Sequence, residues 1–298
     1  MISGWLWALF TILAAGGQTL RNAMQRELIT VLGTVGATHV RFLFGLPFAL
    51  IFLLGILTVT GLPFPPLSPP MLGWTFVGAA TQIIATALLL AAMRDKSFVL
   101  VTALNKIEPV HVALFGLLFL GDRLTWPLGF AILVATLGVV IMSWPKRGMT
   151  EGLGSRAVGL GLLAGMAFGA SAVGYRGGIL ALAQQNFVVA ASTTLVVGLL
   201  MQVAALTTFL LARDRTVLVA IFAAWRPSVV AGFMGAFASQ MWFCAFALES
   251  AAKVRTLALV EIVFAGLVSR SLFKQGLASR ESLGIALIVA GVAILLNY

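Results

Sequence analysis

The chain has 298 residues, of which 61% are apolar and only 9% are Asp, Glu, Lys or Arg, whereas a soluble domain carries about 25% charged residues. At a mean hydropathy of +1.08 there is too little polar surface to cover a water-soluble globule. A soluble enzyme, a secreted disulfide scaffold and a disordered chain are therefore excluded. Cys244 is the single cysteine and lies in an apolar run, which removes any disulfide framework or thiolate metal site. The net charge of +10 comes from basic residues scattered in ones and twos. Without a block of like charges it points to membrane orientation and not to a nucleic-acid partner.

A transmembrane helix needs about 20 mainly apolar residues. By that measure ten segments follow in chain order, at 4–25, 35–58, 71–92, 97–120, 125–144, 157–180, 187–211, 228–249, 254–273 and 281–297. The runs are too long and too continuous for the alternating strands of a β-barrel. Turn chemistry separates them at Thr60-Gly61-Leu62-Pro63, at Gly121-Asp122 and at Trp144-Pro145-Lys146-Arg147-Gly148. The first segment lacks a basic leader and runs into polar Gln18, Arg21 and Asn22, so it reads as a retained helix and not as a cleaved signal. Loops after the odd-numbered segments hold thirteen basic residues, Arg21 and Arg26 among them. Loops after the even-numbered ones hold three, Arg123, Lys253 and Arg255. The positive-inside rule then puts both termini outside.

The chain divides near Gly148 into two five-segment halves that resemble each other. Ala14–Arg21 aligns with Gly169–Arg176, Glu108 with Glu261, and Leu128-Gly129 with Leu283-Gly284, at offsets of 153 to 155 in a shared order. Because five is odd, such halves cross the membrane in opposite orientation. That arrangement is the inverted repeat of many secondary transporters, whose substrate site lies between the repeats. The expected fold is an all-α integral membrane protein of ten transmembrane helices, with repeats at 1–147 and 148–298.

The residues Ile107-Glu108-Pro109-Val110-His111-Val112-Ala113-Leu114-Phe115-Gly116, followed by Leu120-Gly121-Asp122-Arg123-Leu124-Thr125, resemble the fourth-helix signature of the EamA-type transporters of the drug/metabolite transporter superfamily. Glu261-Ile262-Val263-Phe264-Ala265-Gly266 and Gly284–Val292 are similar to the same pattern in the second repeat, and Arg41 stands where the family often has an arginine. The resemblance implies ten helices in two inverted repeats around a cavity lined by helices one, three, four, six, eight and nine. The sequence departs from the pattern at Ile262, opposite Pro109, and at Lys274-Gln275-Gly276 in place of the acidic turn.

An ionisable group inside a span costs several kcal/mol if it faces lipid, so each one is a functional candidate. Helix four carries Asn105, Glu108 and His111 at i, i+3 and i+6, drifting slowly around one side. Lys106 and Glu108 are two residues apart, about 200° around the axis, so each needs a partner on another helix. Pro109 removes the amide that would bond the Asn105 carbonyl and favours a break there. Glu108 and Glu261 read either as titrating or ammonium-binding carboxylates or as groups paired for packing, and Lys106 as binding a carboxylate of the solute or of the protein. His111 is a proton carrier or a neutral hydrogen-bonding residue. Gln18 and Asn22 in helix one, Gln82 in helix three and Gln240 beside Trp242 in helix eight fall on polar stripes. They suit either a wet cavity, with cation–π contact to a cationic solute, or an ordinary helix interface. Glycines at 129, 138, 165, 169, 174, 178 and 291 read as close helix packing.

No nucleotide-binding Gly-Lys-Ser/Thr loop, nucleophile elbow or clustered metal-ligand set occurs, so no enzyme, metal or cofactor is expected. The reading is a multi-pass protein of the cell (plasma or inner) membrane, of bacterial type. Its partners are the lipid bilayer and a small-molecule substrate such as an amino acid, a metabolite or an amphipathic cation. It exports that solute by alternating access, with or without proton coupling, as monomer or homodimer. The alternative is a non-transporting membrane scaffold built on the same bundle.

Overall fold

A computed structural model describes residues 5–94, 105–143, 155–182, 184, 186–262 and 279–297, with side chains 22, 23, 26, 27, 93, 94, 143, 155–158 and 279 outside the description. Every regular element among them is helical. They are α1 (Leu6–Leu43), α2 (Gly45–Thr60), α3 (Pro69–Arg94), α4 (Glu108–Phe115), α5 (Trp126–Ser143) and α6 (Ser155–Ala181). Next come α7 (Phe187–Arg213), α8 (Arg215–Ala223), α9 (Trp225–Leu248), α10 (Ala251–Leu257) and α11 (Ser279–Asn297). Five stretches are long and apolar enough to cross a bilayer: Leu28–Thr60, Pro69–Ala92, Phe187–Arg213, Trp225–Leu248 and Arg280–Asn297. Glu108–Leu120 and Trp126–Met142 are shorter apolar helices. The expected segments 97–120 and 254–273 lie only partly within the described residues, and the boundary between the halves at 147 and 148 lies outside them.

The first two expected helices join with almost no loop. Helical geometry runs on through Arg26 and Leu32 to Gly33, which takes φ 66° and ψ −179°, a backbone state that suits glycine. The Gln25 amide then donates to Ala37 O at 2.9 Å. Those residues would stand about 18 Å apart along a straight helix, so the chain turns back at Gly33. Arg21 therefore lies in mid-helix, buried, and is no loop residue, and Arg26 too belongs to the helix. The loop-charge count loses both. Two of the expected turns hold: Gly61 and Gly121 are left-handed at φ 65° and 68°, Gly61 closing α2 and Gly121 closing the π-helical stretch Gly116–Leu120 that continues α4. The expected turn at 144–148 lies outside the described residues.

Three antiparallel contacts join helices from the two halves of the chain. In α3·α6, a side chain on Gly174 would meet Gly78 N at 2.6 Å, and one on Gly178 would meet Thr75 Oγ1 at 2.5 Å. In α1·α9, Gly17 meets Ala238 and Gly235 meets Arg21 and Arg41. In α5·α11, Gly138 lies against Gly284 and Gly291 against Ala131 and Ala135. The apolar interior runs through all six of these helices. Small residues bring backbones together where lipid supplies no hydrophobic drive between helices. Gly129, expected to pack in the same way, has open space around it. Large apolar side chains such as Leu54, Phe76, Leu118 and Phe130 face outward, which a water-soluble monomer avoids and a lipid-solvated one requires.

The short helix α8 was not expected between the seventh and eighth segments. Asp214 caps it by accepting from Thr216 N at 3.1 Å, and the Thr216 hydroxyl, also donating, holds this exposed carboxyl below its usual range. Ile221 turns inward while Val219 and Phe222 stay exposed.

Gly174→Val should disrupt the α3–α6 contact at a cost of about 1–3 kcal/mol, read as a clear fall in thermal unfolding temperature in detergent. Gly129→Ala, with nothing to meet, should leave that temperature unchanged or raise it slightly.

Candidate functional site

The fourth expected helix is interrupted where Pro109 removes an amide. Asn105 is helical, Lys106 and Ile107 form a turn, and α4 starts at Glu108. Val110 N donates to Ile107 O, three residues back and not four. The ninth is interrupted at the corresponding place without a proline. After α10, residues 258–259 form a turn, and Leu259 N, Glu261 N and Ile262 N each donate to the carbonyl three residues earlier. A carboxylate follows each break: Glu108 in one helix, Glu261 in the other.

Those carboxylates are paired crosswise. Glu108 Oε1 lies 3.1 Å from Arg255 Nε on α10, and Glu261 forms an ion pair with Lys106 from the break before α4. All four side chains are mostly buried. The Arg255 guanidinium also stacks 4.2 Å from the Trp242 ring centroid on α9, and the Trp242 indole donates to Gln18 Oε1 on α1 at 3.2 Å. Around this chain α3, α6 and α7 share a second junction. Gln82 Oε1 accepts from Tyr175 OH at 3.2 Å and from Gln202 Nε2 at 2.8 Å.

On the side of the Gly33 turn, Arg21 and Arg41 come together beside Gly235, whose missing side chain would touch Arg21 Cδ and Arg41 O at 3.5 Å each. Arg41 Nη1 donates to Thr86 Oγ1 at 3.3 Å. These residues and Gln25 line a narrow recess with room for about one water. Towards the opposite ends of the helices, Arg176 donates to Phe246 O at 2.5 Å and to Glu249 O at the end of α9, and its Nη2 lies 3.6 Å from Asp122 Oδ1. Asp122 itself folds back over Gly116, donating its amide to Gly116 O at 3.0 Å.

A family model, the EamA-like transporter family, matches residues 2–144. Residues 2–144 belong to the EamA-like transporter family. A crystal structure of a protein superposes with a TM-score of 0.69 over 99% of this chain and 96% of its own, at 15% identity, which shows a shared fold and nothing finer. No curated protein matches the chain significantly. With the apolar helices, the family makes this a multi-pass membrane protein.

The expected site residues divide. Lys106, Glu108 and Glu261 meet in the crossed ion pairs, and Gln18 and Trp242 adjoin them. The Trp242 face expected for a cationic solute is stacked on the protein's own Arg255. Gln82 belongs to the α3–α6–α7 junction. Gln240 donates to Ser192 Oγ on α7 at 2.9 Å and to Cys244 Sγ at 3.4 Å, contacts of an ordinary helix interface. His111 packs against Gly169 of α6 and stacks near Phe115. Asn105 is buried beside the break in helix four, and the side chain of Asn22 lies outside the described residues. Sequence reasoning missed Arg255 and Arg21, both of which it had placed in loops, and it noted Arg41 only as part of the family resemblance. Each arginine interrupts an apolar stretch, and that was the available signal.

Removing one member of a buried ion pair strands the other, at a cost of about 3–5 kcal/mol. Lys106→Met and Glu261→Gln should each lower the unfolding temperature, and the double variant should recover much of the loss. A double-mutant cycle with no coupling would contradict the pairing.

Proposed function

We propose that this chain is a secondary active transporter, an exporter of small organic solutes. Its two halves act as inverted five-helix repeats, with a division near residue 147, that rock about the crossed ion pairs. The observation that carries this reading is the pair of interrupted helices, each broken just before a carboxylate and each carboxylate bound to the other half of the chain. Discontinuous helices at corresponding positions of two repeats mark the binding site in transporters of this kind. The helix contacts agree with inverted repeats: exchanging the halves turns the α1·α9 contact into α6·α3 and maps α5·α11 onto itself. The reading keeps the ten apolar segments of the sequence as ten spans.

The chemistry of the carrier follows from cost. Four charges held away from water are tolerable only while paired, so a movement that separates the halves at this level must supply replacement partners. A solute group or a proton can do so. Protonation of Glu108 removes the charge that faces Arg255, and a solute carboxylate can take its place. This couples the state of the ion pairs to occupancy, which an alternating-access carrier needs. The scaffold alternative has no use for a breakable bond at this cost.

Purified protein in proteoliposomes, tested by counterflow against a panel of amino acids, metabolites and organic cations with and without a pH gradient, should transport at least one class. Glu108→Gln should reduce that rate at least tenfold while the protein still elutes as a folded particle. Absence of transport across the panel, or full activity of both Glu108→Gln and Lys106→Met, would overturn the carrier reading and favour the scaffold.

A further inference from the structure

We infer that α8 is an interfacial anchor: its outer face seats in the headgroup layer of the bilayer, and the arginines at its two ends pair with phosphates of anionic phospholipids. This goes beyond the carrier reading and does not depend on it, since a scaffold of the same fold would sit in the membrane in the same way.

α8 has nine residues, about 13 Å of helix, against a hydrocarbon core of about 30 Å. It is too short to cross, and it joins two helices that are long enough, α7 and α9. It therefore stands at one end of the bundle, where spans meet the interface. Its two faces have different partners. Val217 and Ile221, four residues apart, turn inward. Val217 lies against Gly36, where an added side chain would meet it at 2.9 Å, and Ile221 is fully buried in one cluster with Leu28, Leu32 and Val40 of α1. Val219 and Phe222, three residues apart, turn outward and are 70% and 60% exposed. The spans on either side present the same kind of surface, with Leu211 on α7 and Val230 on α9 exposed, so the outer face of α8 continues a surface that lipid covers.

Charge decides where in the lipid it sits. Arg213 and Arg215 precede the outer face and Arg226 follows it, all exposed. The single carboxylate in the stretch 213–226 is Asp214, and it is engaged as the helix cap by the amide and hydroxyl of Thr216. The Arg226 guanidinium stands 5.6 Å from the ring of Trp225, which is itself exposed. Tryptophan beside a cation is the composition of the membrane–water boundary, and an apolar face held between cationic ends suits a helix lying in that boundary. Guanidinium groups match phosphate oxygens two at a time. A second copy of the chain is a poorer occupant, because a two-fold contact sets a patch against itself and would bring like arginines together. α8 also follows the seventh apolar segment, on the basic side of the loop-charge count. The positive-inside rule gives that side to the cytoplasmic leaflet, where anionic lipids concentrate.

The test places an environment-sensitive fluorophore on Val219→Cys of the full chain, in nanodiscs of phosphatidylcholine with or without phosphatidylglycerol. Cys244 is buried and leaves the new thiol as the reactive one. Brominated lipid should quench the label strongly and aqueous iodide weakly. Brominated phosphatidylglycerol should quench better than brominated phosphatidylcholine, and added salt should reduce that preference. One arginine near an anionic surface is worth about fivefold, so the triple variant Arg213→Gln, Arg215→Gln, Arg226→Gln should lower the preference at least fivefold. Arg123→Gln, an exposed arginine in the turn before α5 at the opposite end of the bundle, should leave it unchanged. Phe222→Cys as the label site, and the three arginine variants taken singly, carry the same test if a first variant does not fold. Stronger quenching by iodide than by lipid puts α8 in water and overturns the inference. Shielding from both quenchers in a particle of twice the mass assigns the face to a second copy and overturns it too. Equal quenching by the two lipids, or a preference untouched by the arginine variants, removes the anionic headgroup and with it the inference.

Discussion

The structure depends on a reciprocal exchange of charge between two interrupted helices. Glu108 reaches Arg255, and Lys106 reaches Glu261, so each half of the chain carries an acid whose base belongs to the other half. A buried ion pair contributes little to net stability, because desolvation offsets most of the attraction, yet losing one partner is expensive. The pairs therefore specify more than they stabilise. They fix how the two halves meet, and they penalise any arrangement in which the halves separate without a substitute partner.

The remaining contacts make that arrangement possible. Ion pairs form between helices only if backbones come close, and the glycine contacts of α1 with α9, α3 with α6 and α5 with α11 bring them close. In lipid the apolar effect does not draw helices together, and packing of small residues does more of that work. All three contacts cross between the halves, so the two halves are interleaved and do not stand side by side as separate domains. The interruptions after Asn105 and Leu257 then leave main-chain groups and short side chains at the same depth as the charges. Irregular backbone of this kind is tolerated at membrane depth only inside protein or beside a wet cavity.

The sequence was readable where a local rule had one outcome. The turn of about 200° between Lys106 and Glu108 prevents them from pairing with each other, and both found partners elsewhere. Pro109 broke its helix as its missing amide requires, and Gly61 and Gly121 closed helices as left-handed residues. What was not readable depended on long-range geometry. Ile262 stands opposite Pro109, yet the ninth helix breaks too, for a reason that composition does not supply. Arg21 was counted in a loop because the first turn was expected to take about ten residues. It takes one, Gly33, and that moves Arg21 to mid-helix and brings Arg41 back beside it. Arg255 was counted in a loop, and its two partners, Glu108 and Trp242, are 147 and 13 residues away in sequence.

Arg21 and Arg176 align at the same position of the two proposed repeats, and the structure gives them different surroundings. Arg176 is committed to main-chain carbonyls at the end of α9 and to Asp122, so it ties three elements together at one end of the bundle. Arg21 stands beside Arg41 and lines the narrow recess. Alignment in sequence therefore does not carry over into equivalent surroundings: one arginine clamps the end of α9 to α6, and the other is set against α9 beside a second arginine. What an aligned charge does is decided by the partners that the tertiary packing brings to it, and for Arg176 the main-chain partners lie 70 and 73 residues away.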